Sequence, residues 1–256
     1  MGRKRRESES FPTGRIVALL LFLIAVSGLA YIYLSKRPSD AESSVKAAII
    51  DGLKGFPNPE FIDETTKMLS ENNFTVDLYR DENVTVEFYK KLPSLGYSLI
   101  VLRVHCGPLV HTLPNGTKEV SQGIVIFTTE EYNQEMYLEY QLCGLLARAR
   151  MIGREKLYFA IPPQFVYDAM QGRFNNTIII LDSCYGLFGK PMPEAFISRG
   201  VSKFVGWDGE VTANHADEAT LTLLREYLNG GLSIEEALLK IEPDPFYGSS
   251  MHCYPP

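Results

Sequence analysis

The chain is short of the features that stabilise small folds without a core. Its 256 residues include four cysteines, Cys106, Cys143, Cys184 and Cys253, which are too few and too scattered for a disulfide scaffold. There is no Cys-x-x-Cys pair to suggest a zinc knuckle, and no internal repeat to suggest a stacked array. Positive charge is scarce beyond residue 37. Seven basic and two acidic residues precede that point and leave 18 basic against 29 acidic after it, a net of about −11, which argues against nucleic acid as a partner. What is present is apolar mass: 45% hydrophobic residues with 14 Tyr and 14 Phe, enough for one globular domain of about 200 residues and too much for a disordered chain.

One long hydrophobic run occurs. Ile16 to Ser35 carries no charge over twenty residues, which at about 1.5 Å rise per residue matches a bilayer core of roughly 30 Å. Arg3, Lys4, Arg5, Arg6 and Arg15 precede it and only Lys36 and Arg37 follow closely, so the positive-inside bias predicts a single-pass signal-anchor with its N-terminus in the cytoplasm. A cleaved signal peptide is the competing reading, since Gly28-Leu29-Ala30 resembles a small-x-small site, but the apolar run continues past it to Leu34. The organisation expected is a basic cytoplasmic tail over 1–15, a transmembrane helix over 16–35, a polar linker over 36–44 and an extracytoplasmic domain over 45–256. Glycosylation triplets at Asn73, Asn83, Asn115 and Asn175 agree with export, Asn175 being the least accessible because a buried strand follows it.

Within the domain, short apolar runs alternate with helical patterns. Strands are expected at 46–51, 75–79, 97–105, 123–127, 157–160, 177–182 and 203–207, with a hairpin turn at Asn115-Gly116. Helices are expected after Pro57 and Pro59, then at 86–92, 135–151, 162–170, 193–199, 213–228 and 233–241, the last with Ser233 and Glu236 in capping-box positions. The alternation predicts an α/β three-layer sandwich around a mostly parallel sheet.

In such a sheet, ligands bind beyond the carboxyl ends of the strands. Two apolar strands end there in reactive side chains, one at His105 and one at Cys184 within Thr177-Ile-Ile-Ile-Leu-Asp-Ser-Cys-Tyr-Gly. A thiol and an imidazole delivered to one sheet edge make a nucleophile and a general acid/base. Asp208 lies just past another strand end, where it is either a turn residue or part of a substrate cleft. His252-Cys253 echoes His105-Cys106, but adjacent strand residues point to opposite faces, which argues against a shared zinc site.

His105-Cys106-Gly107 after one strand and Asp182-Ser183-Cys184-Tyr185-Gly186 after another resemble the caspase-like superfamily of cysteine peptidases, which includes metacaspases and gingipains. The resemblance runs through residues 45 to 241 in order of elements and is specific at those two motifs. It implies that Cys184 is the nucleophile, that His105 protonates the leaving amine, and that the backbone N–H groups of Cys184 and Gly107 hold the oxyanion. It implies also that Asp182 lines the primary specificity pocket, and Asp208 is read beside it. The chain departs from the family at Cys106, where glycine usually follows the histidine directly. The expectation is a membrane-anchored cysteine endopeptidase acting on peptide or protein substrates, with cleavage after Arg or Lys, and with no cofactor or metal read from the sequence. The alternative is a catalytically silent module of the same fold that binds a partner at the cell surface.

Overall fold

A computed structural model describes residues 45–256, together with Ser27 and Gly28, which are helical. The rest of the tail, the expected membrane span and the linker lie outside the described residues. Among the described residues no helix is long and apolar enough to cross a membrane. Residues Val45–Pro256 form one compact unit.

That unit is α/β. Its principal sheet holds six strands: β1 (Val45–Asp51), β2 (Phe74–Arg80), β3 (Leu99–Arg103), β8 (Thr177–Asp182), β9 (Val201–Trp207) and β10 (Met251–Tyr254). Their spatial order is β2-β1-β3-β8-β9-β10, parallel throughout except for β10, which runs antiparallel to β9 at one edge. The central strands are apolar at consecutive positions because both faces of the sheet are covered. Ala48, Ile50, Ile100, Leu102, Ile179 and Leu181 pack into one core, and their neighbours Ala47, Ile49, Leu99, Val101 and Ile180 into the other.

The second core is roofed by helices α1 (Pro59–Glu71), α6 (Ala213–Leu224) and α7 (Ile234–Leu238). Helix α1 begins where Asn58 accepts a hydrogen bond from the Phe61 N–H at 3.1 Å and Pro59 supplies the first turn; Phe61, Ile62, Met68 and Leu69 form its buried face. Helix α7 starts with the capping box of Ser233 and Glu236. The first core takes α2 (Val86–Lys91), α4 (Pro163–Asp168) and α5 (Pro191–Ser198).

A second sheet also closes over that first core: β4 (Cys106–Thr112), β5 (Lys118–Glu131), β7 (Leu157–Ile161) and β6 (Ala147–Arg150), antiparallel in the order β4-β5-β7-β6. Strands β4 and β5 join through the Asn115-Gly116 turn, with Gly116 at φ 81°. The mostly parallel sheet is therefore as expected, whereas strands 123–127 and 157–160 belong to a separate antiparallel sheet.

The helix expected over 135–151 is a correction. Only α3 (Leu138–Leu142) is helical; Tyr137 at φ 52° and Gly144 at φ 69° bound it. The following Ala-Arg-Ala-Arg run has the period of a strand, with Ala149 buried between exposed Arg148 and Arg150, and it pairs with β7. Strand β10, too short to register as an apolar run, was not expected.

Candidate active site

Parallel pairing aligns three charged residues at the carboxyl edge of the sheet. Asp51 ends β1 opposite Arg103 at the end of β3, and Arg103 stands opposite Asp182 at the end of β8. All three continue the face of Ile49, Val101 and Ile180, so they meet under α1 and α6. Arg103 is 1% exposed and all three of its guanidinium nitrogens donate. Its Nε donates to Asp217 Oδ1 at 2.6 Å, Nη2 to Asp217 Oδ2 at 3.0 Å and to the Phe56 carbonyl at 2.7 Å, and Nη1 to Asp51 Oδ1 at 2.9 Å. Asn58 adds a bond to Asp217 Oδ2 at 2.8 Å. Burial pulls the guanidinium down, and its bonds and charge partners at Asp217 and Asp51 outweigh that and hold it above its ordinary value.

Asp182 is left out of this bonding. Its carboxyl is as buried as Arg103, and Oδ2 has no hydrogen-bond partner. Burial and the adjacent Asp217 charge push its pKa well above the ordinary carboxylate value against the opposing pull of Arg103.

His105 and Cys184 each stand two positions beyond the registered pair Arg103 and Asp182. Equal offsets on neighbouring parallel strands bring both to one place, and both line a cavity of about 380 Å³ whose walls include Phe56, Cys106, Asp182, Ser183 and Tyr247. The turn after Cys184 is tight: Tyr185 sits at φ 61° and donates its N–H to the Gly209 carbonyl. Gly186 lies so close to Gly206 of β9 that a Cβ on it would come 3.1 Å from the Gly206 Cα, so a side chain there would push the strand by a few tenths of an ångström.

The imidazole of His105 is set between Phe56 and Phe127, with ring centroids 6.1 and 5.9 Å away, and its buried Nε2 has no partner. Burial first, and the nearby Arg103 cation second, pull its pKa below the ordinary value. The Cys184 thiol donates to the Val211 carbonyl at 3.4 Å, and burial pushes its pKa up. Thiol and imidazole are thus both neutral at rest. Of six buried side-chain atoms without a hydrogen-bond partner among the described residues, three belong to residues that line this cavity, His105, Asp182 and Ser183, and lie just behind its surface. A concave pocket backed by polar atoms without partners is the pattern of a ligand site.

The chain matches no protein-family model and no curated protein. Cys184, His105 and Asp182 come together in the cavity. Gly107 does not line it; it pairs with Val125 in β4, and a Cβ there would meet no atom within 4 Å. Asp208 does not line it either: it is exposed at the surface, accepting from the Ser250 N–H at 2.9 Å and lying 3.3 Å from His252 Nε2. Cys106 is in the wall, half-buried, with its thiol pushed well up by burial. Sequence reasoning missed Arg103 and Asp217. The signal for Arg103 was present, since three apolar runs each end in a charge at Asp51, Arg103 and Asp182; Asp217, 114 residues away on α6, lies just beyond a strand end and reads from sequence as a helix-start residue.

Proposed function

We propose that residues 45–256 are a cysteine peptidase domain of the caspase-like kind, tethered to the cell membrane by residues 16–35 outside the cytoplasm, which cleaves peptide or protein substrates after Arg or Lys. The observation that carries this reading is the convergence of His105, Cys184 and Asp182, an acid whose buried Oδ2 has no hydrogen-bond partner, on one cavity at the carboxyl edge of the sheet.

The chemistry proceeds from the neutral pair. A substrate carbonyl presented to Cys184 draws the sulfur from the Val211 carbonyl, His105 Nε2 accepts the thiol proton, and the thiolate adds to the carbonyl carbon. The imidazolium returns that proton to the amine as the C–N bond breaks, leaving a thioester on Cys184; water, deprotonated by His105, then releases the acid and restores the thiol. A guanidinium or ammonium side chain in the cavity takes the place of the proton on Asp182, which leaves as the ion pair forms. Of the two oxyanion donors that the family resemblance suggests, the backbone N–H groups of Cys184 and Gly107, only Cys184 belongs to the cavity wall, and such a donor is worth about 3 kcal/mol where these holes are built.

The decisive measurement is turnover of an arginyl coumarin amide. Cys184→Ala and His105→Ala each reduce it at least about a thousandfold with the circular dichroism spectrum retained. Equal activity in either variant removes the enzyme. One observation favours the silent module: the resting thiol is bonded away toward Val211 with a raised pKa, so iodoacetamide should label Cys184 slowly in either case. A peptidyl-arginyl chloromethyl ketone separates them, labelling Cys184 in a His105-dependent way only if the domain is a peptidase.

A further inference from the structure

His105 has a second open side. With Phe56 it also lines a groove of about 930 Å³ that continues away from Cys184 over Phe127, Met151 and Tyr158 and is edged by Lys54, Arg154 and Lys156 against the single acid Glu155. Lys156 is taken by Glu131, whereas the side chains of Lys54 and Arg154 make no hydrogen bond or ion pair with another described residue. In a domain of net charge about −11, a groove edged by three cations and one acid stands apart from the rest of the surface, and two of those cations are free to meet a ligand.

The direction of the substrate follows from the chemistry of the two walls. The residue before the cleaved bond occupies the acidic cavity with Cys184 and Asp182, and the proton donor must face the departing amine, so the polypeptide beyond the bond leaves past His105. We infer that this groove binds the leaving-group side of the substrate and selects acidic side chains in the first three positions after the cleaved bond, held by Lys54 and Arg154 over an apolar floor of Phe127, Met151 and Tyr158. The inference rests on the peptidase reading. It makes the preferred substrate bipolar, a cation before the bond and anions after it, matching an acidic cavity and a basic groove on either side of one imidazole.

Three quenched peptides that share Arg before the bond and carry Glu, Gln or Lys at the second and third positions after it test this. The Glu peptide is expected to exceed the Lys peptide in kcat/KM at least about tenfold at an ionic strength of about 0.01 M, the advantage shrinking toward about 1 M as salt screens the groove. Lys54→Glu combined with Arg154→Glu is expected to reverse the order, which misfolding cannot do. Equal kcat/KM for the three peptides, or an order unchanged in the doubly reversed protein, overturns the subsite and leaves the peptidase standing. Failure to cleave the arginyl coumarin amide, which has no residue beyond the bond, overturns the peptidase and the subsite with it.

Discussion

Two aspartates of this domain are buried to the same degree and live in opposite circumstances. Asp182 and Asp244 are each 1% exposed. Asp244 accepts from the Thr212 N–H and hydroxyl at 2.9 Å each, from the Phe246 N–H at 2.9 Å and from the Tyr247 N–H at 2.8 Å. Burial pushes its pKa up, and those bonds outweigh burial and hold it down at about 2. Asp182, with Oδ2 unbonded and Asp217 beside it, is pushed the other way. A carboxylate whose lone pairs are all spent ties the start of α6 to the loop at Phe246 and Tyr247, and so holds the cavity wall. A carboxyl left unsatisfied in that wall costs stability, and under the proposed reading it is retained for what it does to a ligand.

The sharpest way to break the comparison is Asp182→Asn, which keeps the shape and removes the charge. Turnover of arginyl substrates should fall about a thousandfold, the size expected when a buried ionic partner is lost, while the fold becomes more stable at neutral pH. The sign follows from linkage. With its folded pKa above the unfolded value of about 4, Asp182 holds a proton that the unfolded chain releases, so its contribution is fully present below about pH 4 and declines as pH rises toward the folded pKa. The asparagine variant lacks that decline, and its advantage in thermal melting should grow as pH rises above about 4. For the same reason KM for arginyl substrates should fall as pH rises, because pairing requires the ionised acid. A variant destabilised at pH 8, or one that cleaves after Arg at an undiminished rate, would make Asp182 another structural carboxylate.

Most of the sheet was legible because its strands are apolar on both faces and end in turns, and the thiol and imidazole stood out as reactive groups at strand exits. The meeting of Arg103 with Asp217 was not legible, since it joins a strand end to a helix 114 residues away and depends on how α6 crosses the sheet. Nor was the role of Asp244, whose bonds go to backbone N–H groups that carry no residue identity. Residues 135–151 misled because Glu, Met, Leu, Gln, Ala and Arg favour a helix locally, and only pairing with β7 selects the extended form for Ala147–Arg150.

Asp244→Ala probes the other half of the comparison. It leaves the Thr212, Phe246 and Tyr247 donors without their acceptor, and charged hydrogen bonds of this kind are worth about 1.5–3 kcal/mol, so a loss of about 3 kcal/mol and of roughly 6–12 °C in Tm is expected. The pH dependence is opposite to that of Asp182. Asp244 is depressed, so its stabilisation is complete above about pH 4 and vanishes as pH falls toward 2; wild type and variant should converge at acid pH. Activity of the folded fraction should drop only several-fold, because Asp244 acts through Thr212 and Tyr247 in the wall. A thousandfold loss with normal melting would erase the distinction between the two residues.

The smallest effect is expected at a third aspartate, Asp208, which the sequence placed beside Asp182 and the fold does not. Its side chain is 45% exposed, its hydrogen bond from the Ser250 N–H lies just beyond the paired ends of β9 and β10, and its ion pair with His252 exists only when that imidazole is protonated. Exposed pairs of this kind are worth about 0–1 kcal/mol, since water solvates both partners when they separate and the side chains regain rotamer freedom. Asp208→Ala should therefore lower stability by about 1 kcal/mol at most and leave the preference for Arg over neutral residues within about twofold, because a carboxylate outside the cavity wall, across water, cannot discriminate what the cavity holds. Measured kcat/KM for arginyl and glutaminyl coumarin amides in the two aspartate variants decides the matter: if Asp208→Ala costs the arginyl substrate as much as Asp182→Asn does, the specificity acid is the exposed one, and the unbonded oxygen of Asp182 loses its functional meaning.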